Sequence, residues 1–500
     1  MSSAPPRPAP PGSPWRHALE GALSVATAVL AMAAAAWAAL AVLGAGAIAP
    51  VSRLVPTMVS MAVGGGVTLE SAPSAESADG GGPEGGLGGL LGGGGGLNLG
   101  LAGEAAVTPL TLTFLGTAVL AVGFFRPLRR RRRPTPALMW ARCGGALLTV
   151  AVVLPVLASM AQGTARLPES VTERFGNGAS SGALGRFTGG GEGGGLTKGL
   201  SSVVFETDTA ATVFFGLLGV ATVLALGCLA ARRTTLPSPL ALGRLRLKWN
   251  AVTSTLTGIA VVLCCSAFAV TLLAGAAGLT GREQVATAAG LLLLLGPNLI
   301  AVLFTVGLGT SWEAGMRRIQ PDGGGMLGGG PQGGTEGTGS PVDLGGWSGA
   351  GIPLWLLGML LTLLLLLVAG YVAAARTPAR TPREESDSLL GRHAEIALRM
   401  GIAVGATALV LPLLARGSLR IGVRLMGTEM GGVTVGLDAT PGLSALTGFV
   451  LAALAGYGGS RLPSRRARRG GLGKQRSGTA LRRTADARST PSRQTSDSAA

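Results

Sequence analysis

Reactive groups are scarce along this chain, and the best placed of them is an amide. Gly296-Pro297-Asn298 interrupts an apolar run from Val285 to Leu308. Proline removes a backbone N–H from a helix, and helices tend to end before it. A break of that kind near the middle of a bilayer exposes backbone groups, and Asn298 adds an amide that could hydrogen-bond a substrate or an ion's ligands. The same triplet could equally be a kink packed against neighbouring helices. A second group is charged. Glu206 and Asp208 flank Thr207 just before an apolar stretch, and Arg53, Arg420 and Arg424 fall in other segments expected on the same side. Together they could line an outer vestibule; the plainer reading is solvated loop charge.

Matches to catalytic patterns lack the context those patterns need. Gly178-Ala179-Ser180-Ser181-Gly182 fits G-x-S-x-G, whose serine requires a strained strand-to-helix turn; here it lies in a Gly/Ser-rich segment. Gly346-Trp347-Ser348-Gly349 fits a motif of intramembrane serine proteases. Its base would have to be His17 or His393, and both are expected on the opposite side from Ser348. Gly473-Lys474 is followed by Gln475, so it makes no phosphate-binding loop. Two histidines and four scattered cysteines (Cys143, Cys228, Cys264 and Cys265) give no metal-ligand spacing. The expectation is a protein that is not an enzyme, with no cofactor and no metal.

The elements around these groups are apolar spans. Charged residues make up 13% of the 500 residues and apolar residues 47%, where soluble domains carry about 25% charged residues. Mean hydropathy is +0.48. Eight stretches suit a membrane helix of about 20 residues: Ala22–Leu43, Val107–Phe125, Leu138–Ala161, Ala210–Ala231, Ala251–Ala274, Ile352–Ala375, Ile396–Ala415 and Leu443–Tyr457. The cysteines fall inside them, which suits inert buried thiols.

The net charge of +17 does not point to nucleic acid, because the arginines cluster beside the spans. Arg126 to Arg133, Arg232 and Arg233, Arg376 to Arg383 and Arg461 to Arg469 each follow a returning span. With eight crossings, these clusters and both termini share the cytoplasmic side, as the positive-inside rule requires. Were Val285–Leu308 to cross as a ninth span, the last clusters would lie outside. The expected fold is therefore an all-α polytopic membrane protein: about eight transmembrane helices in four hairpins, plus one re-entrant or broken segment. Such non-helical backbone is tolerated only inside protein or beside a water-filled cavity. Arg142 and Arg399, near the inner ends of their spans, are expected to snorkel to headgroups.

Residues 1–21 read as a disordered cytoplasmic N-terminus, 22–459 as the transmembrane domain and 460–500 as a disordered basic tail. Within the domain the hairpin units are about 22–133, 134–233, 234–383 and 384–460. Gly-rich outer loops at 64–103, 176–199 and 323–351 have high chain entropy and read as flexible. The units echo one another. Ser52-Arg53-Leu54, Ala165-Arg166-Leu167 and Leu419-Arg420-Ile421 follow outgoing spans, and Pro109, Pro353 and Pro441 open returning ones. Shared order of these matches suggests duplication of a hairpin.

Ser52-Arg53-Leu54-Val55-Pro56, then Ala62-Val63-Gly64-Gly65-Gly66-Val67, a Gly-rich loop and later Leu295-Gly296-Pro297-Asn298 resemble the streptophobe family of hydrophobic actinobacterial membrane proteins of the Streptomyces type. The resemblance covers most of the chain apart from the tail. It implies a lineage and a membrane location and carries no catalytic residue. The functional expectation is a non-enzymatic envelope or membrane-organising protein of the cytoplasmic membrane. Its expected contacts are the lipid bilayer, anionic headgroups at the inner arginine clusters and other membrane proteins. The alternative is a secondary transporter or channel-like protein for a small molecule or ion.

Overall fold

The computed structural model describes residues 14–71, 99–130, 134–166, 202–277, 282–319, 342–343, 348–349, 352–377, 391–425 and 428–462. One pattern, helix–strand–strand–helix, recurs four times. The first unit holds α1 (Pro14–Val42), a short α2 (Val51–Val63), β1 (Val67–Ser71), β2 (Leu99–Val107) and α3 (Leu110–Phe125). The second holds α4 (Pro136–Met160), β3 (Gly163–Arg166), β4 (Ser202–Thr207) and α5 (Thr209–Ala230). The third runs through α6 (Arg244–Ala277), α7 (Arg282–Gly307), β5 (Trp312–Ile319), β6 (Val342–Asp343) and α8 (Leu354–Arg376), with a small hairpin of β7 (Ser348–Gly349) and β8 (Ile352–Pro353) before α8. The fourth comprises α9 (Arg392–Ala415), β9 (Gly417–Leu425), β10 (Thr428–Ala439) and α10 (Pro441–Leu462).

The sheet corrects the all-α expectation. Eight antiparallel strands join in the order β3-β4-β1-β2-β9-β10-β5-β6. Most of their sequences alternate, so one face is largely apolar and the other largely polar. On β1 and β4, Val203, Phe205 and Val67 are buried on the inner face, while Thr68, Glu70 and Glu206 point out; on β9 and β10 the same inner face leaves Leu419 and Val435 exposed. Loop 64–103, expected to be flexible, supplies all of β1 and the start of β2; loop 323–351 supplies β6 and β7. Loop 176–199 lies outside the described residues, as does the tail beyond Leu462 and the first thirteen residues. The helix from Pro14 also takes in residues 14–21, expected to be disordered.

The strand order has an internal symmetry. The second unit's strands precede the first unit's, and then the fourth unit's precede the third unit's, joined at a β2–β9 seam. The first and third units also share an extra helix, α2 or α7, between the first long helix and the first strand. The edge strands β3 and β6 are short, with four and two residues, which limits unwanted edge pairing.

The long helices that lead into strands run toward this sheet, and the described arginines of the clusters, Arg126, Arg129, Arg232, Arg233, Arg376 and Arg461, lie at the other end. Between Gly290 and Leu308, α7 meets α1, α3, α8, α9 and α10 near their sheet-side ends. A Cβ at Gly290 would meet Leu43 and the Ala39 carbonyl; one at Gly307 would run into Gly358 and Thr362. Leu110, Ala301, Val302, Trp312 and Ala415 form one buried apolar cluster there. Thr362 stands eight residues into α8, so at 1.5 Å per residue the end of α7 reaches roughly 12 Å below the sheet-side end of that helix. The segment is continuous helix through Pro297, which corrects the expected break.

Small residues bring backbones together elsewhere, as in many membrane bundles. A Cβ at Gly145 would collide with the Ala18 backbone, and one at Gly21 with the Arg142 carbonyl, so α1 and α4 cross in direct contact. A Cβ at Gly370 would strike Gly456, and one at Gly459 the Leu367 carbonyl, so α8 and α10 cross in the same way.

Candidate functional site

Asn298 is buried, and both ends of its amide are spent on the segment that opens α3. Its Oδ1 accepts from the Leu110 N–H at 2.9 Å, and its Nδ2 donates to the Thr108 carbonyl at 2.8 Å. Leu110 opens α3 and has an orphan N–H, because Pro109 before it offers no capping side chain. Pro297 has no N–H for the carbonyl of Leu293 one turn back. In that loosened turn the Thr111 hydroxyl donates to the Leu294 carbonyl at 2.9 Å. Gly296-Pro297-Asn298 is thus a joint that fastens the third unit to the first. The triplet sits within an unbroken helix and is packed against the start of α3.

Beyond the joint, α7 is latched to the sheet. Trp312, fully buried, donates its indole N–H to Thr305 Oγ1 at 2.9 Å, and that hydroxyl donates to the Ala301 carbonyl at 2.8 Å. Gly309 turns the chain between them with φ of 86°, a conformation open mainly to glycine. Thr310 and Ser444 share a buried hydroxyl hydrogen bond at 2.5 Å, tying this turn to α10.

The vestibule charges are spread along the sheet. Glu206 on β4, Thr68 on β1, Glu104 on β2, Arg420 on β9, Thr434 on β10 and Arg317 on β5 occupy one cross-strand row of the outer face. Glu206 and Arg420 are three strands apart, roughly 14 Å at 4.8 Å per strand. Glu206 accepts from Gln162 at 3.0 Å. Asp208 caps α5, accepting from the Ala211 N–H at 3.0 Å. Arg53 lies on helix α2 and donates to the Met160 carbonyl at 3.4 Å, so its motif is not the structural equivalent of those around the strand residues Arg166 and Arg420. Arg424 stands opposite Gly100 and Glu429 in the register.

At the arginine end two charge pairs went unread in the sequence. Arg142 is 1% exposed and donates to Glu20 Oε2 at 2.7 Å and to the Gly123 carbonyl at 3.2 Å, with its guanidinium 4.9 Å from the Phe124 ring centre. His17 Nδ1 is 3.6 Å from the same carboxylate. In the other half Arg399 is ion-paired with Glu395 and donates to the Lys248 carbonyl at 2.8 Å, and Lys248 Nζ lies 3.4 Å from Glu395. Both arginines are packed inward rather than snorkelling. Glu20 seven residues into α1, with glycines on both sides of the α1–α4 crossing, was the legible signal.

Among the described residues nine helices are long and apolar enough to cross a membrane. Their outward surfaces carry Leu30, Trp37, Leu148, Phe214, Leu360 and Leu454, each more than half exposed. A surface of that size and character needs hydrocarbon around it. The molecule is a multi-pass membrane protein. Comparison of the chain with protein-family models, curated proteins and solved structures gave no match.

Proposed function

We propose that this protein is a non-enzymatic organiser of the cytoplasmic membrane and cell envelope, with its arginine end in the cytoplasm and its sheet outside. The observation that carries this reading is the sheet itself: eight strands pooled from all four units into one surface with a polar, charged outer row. A platform of that breadth suits contact with other envelope components. The buried joints at Asn298 and Trp312 hold it rigidly to the helices. The positive-inside bias supplies the orientation, and the sequence resemblance to the streptophobe family belongs to the same proposal.

The test places a photo-crosslinking amino acid at Thr68 or Thr434 in the full chain in native membranes. The reading expects the same protein adducts from both positions, weakened by Glu104→Lys. Adducts to lipid alone would overturn it. Orientation is read separately: a cysteine replacing Thr434 should react with a membrane-impermeant maleimide on intact cells, and one replacing Thr234 should not.

A second reading, transport of a small molecule or ion, draws on the matching strand order of the two halves and on α7 dipping among the helices. Parallel repeats around a central site are a transporter architecture. Flux into proteoliposomes that falls with Asn298→Ala at unchanged protein level would favour it.

A further inference from the structure

A cavity of about 360 Å³ opens at the arginine end, lined by Phe125, Arg129, Ala231, Arg232, Asn250 and Arg376 among others. That is at the small end of ligand-sized sites, about 300–1,000 Å³. It lies where α3 and α5 of the first half meet α6 and α8 of the second.

Three arginines from three elements converge there, and helix capping does not account for them. The last carbonyls of α5 already have donors: Asn250 Nδ2 reaches Leu229 and Ala231 at 2.8 and 3.3 Å, and Arg246 Nε reaches Cys228 at 3.1 Å. Those of α8 are served by Arg392, which donates to Ala374 and Thr377 at 3.2 and 2.9 Å. Arg129, Arg232 and Arg376 donate no side-chain hydrogen bond to a described residue. Glu20 and Glu395, the acids described at this end, are committed to Arg142 and Arg399. Three helix C-termini each add about −0.5 charge, which leaves a net of about +1.5 against the three guanidinium groups. A ligand with a compact, multiply accepting anion would satisfy them.

We propose that this cavity binds a phosphate group, held by the guanidinium forks of Arg129, Arg232 and Arg376, and that the group belongs to an anionic phospholipid. Arginine presents paired donors that match phosphate oxygens. The level of the cavity, at the polar ends of apolar helices, is where headgroups lie, and basic pockets between spans bind such headgroups. A phosphate there would bridge the two halves opposite the β2–β9 seam. This proposal stands independently of the envelope-organising reading.

The test uses the full chain in nanodiscs of phosphatidylcholine alone, or with phosphatidylglycerol, read by native mass spectrometry and thermal unfolding. Wild type should keep bound phosphatidylglycerol through delipidation and melt higher in its presence. The R129Q/R232Q/R376Q variant should lose at least about tenfold in lipid affinity, whereas R166Q/R317Q/R318Q, with the same loss of charge on the sheet, should not. Equal retention by wild type and the cavity variant overturns the proposal. A separate arm adds pyrophosphate to phosphatidylcholine nanodiscs. Stabilisation of wild type but not of the cavity variant, with displacement of lipid, keeps the phosphate site and overturns the lipid as its source. If the triple variant does not fold, the three single Arg→Gln variants carry the same comparison, each expected to weaken retention.

Discussion

Asn298 Oδ1 accepts the backbone N–H of Leu110 across 188 positions of sequence, at 2.9 Å. The bond caps a long helix of the first unit with a side chain from the third. With Nδ2 on the Thr108 carbonyl, two of the four hydrogen-bonding positions of the amide are used, and both go to backbone. The amide that stands out in the sequence thus clamps one unit to another.

Asn298→Ala should therefore destabilise the protein by about 2 kcal/mol, combining a lost helix cap with a buried carbonyl left short of a donor. Asn298→Asp keeps the acceptor for Leu110 but cannot donate to Thr108, so it should also be impaired. Unfolding in detergent, followed by circular dichroism, measures both. A wild-type transition in Asn298→Ala would mean that the clamp contributes nothing.

Glu20→Gln leaves the Arg142 guanidinium almost fully buried without its carboxylate. Removing one partner of such a pair costs on the order of 3 kcal/mol, although replacing both with apolar groups can be neutral. The expected pattern is a lowered unfolding midpoint for Glu20→Gln, with recovery in the double variant Glu20→Gln/Arg142→Met. Failure of the second change to restore any stability would show that Arg142 matters through its other contacts, to the Gly123 carbonyl and the Phe124 ring.

The apolar spans were legible because a 20-residue uncharged run has one physical solution in a bilayer. The sheet was not, although its signal was present: Val67-Thr68-Leu69-Glu70 and Val433-Thr434-Val435-Gly436-Leu437-Asp438 alternate with the period of a strand. Glycine masked it. Runs such as Gly92 to Gly96 read as linker, and a strand has no hydrogen bonds of its own to hold it. Its partners come from other units, so pairing is set by tertiary placement. The joint at Gly296-Pro297-Asn298 was visible as an oddity of sequence, but its partners, Thr108 and Leu110, are supplied by the fold. Arg142 and Arg399 were visible too; their burial depended on carboxylates that sequence spacing alone did not assign to them.

Close helix crossings give a test by overpacking. Gly145→Leu would drive a side chain into the Ala18 backbone, where no rotamer can relieve it, and should cost about 3 kcal/mol or prevent folding. Gly144→Leu, one residue away with open space at its Cβ, should be tolerated. The two variants share composition and hydropathy, so a difference between their unfolding midpoints reports the α1–α4 contact alone.

The Trp312–Thr305 latch separates a lost hydrogen bond from an unsatisfied group. Trp312→Phe removes the donor and some packing, while Thr305 Oγ1 still has the Ala301 carbonyl as its own acceptor. Thr305→Val nearly keeps the shape but strands a fully buried indole N–H, which costs about 1–3 kcal/mol where the bond itself nets only about 1. Thr305→Val should therefore be the worse hydrogen-bond lesion for its size. Adding Trp312→Phe to it should cost much less than Trp312→Phe costs alone, because the stranded donor is then gone. Unfolding of the two single variants and the double variant forms a complete cycle. Additive losses would show that the indole N–H and the hydroxyl act separately, and that the return of α7 to the sheet rests on the apolar cluster with Leu110, Val302 and Ala415.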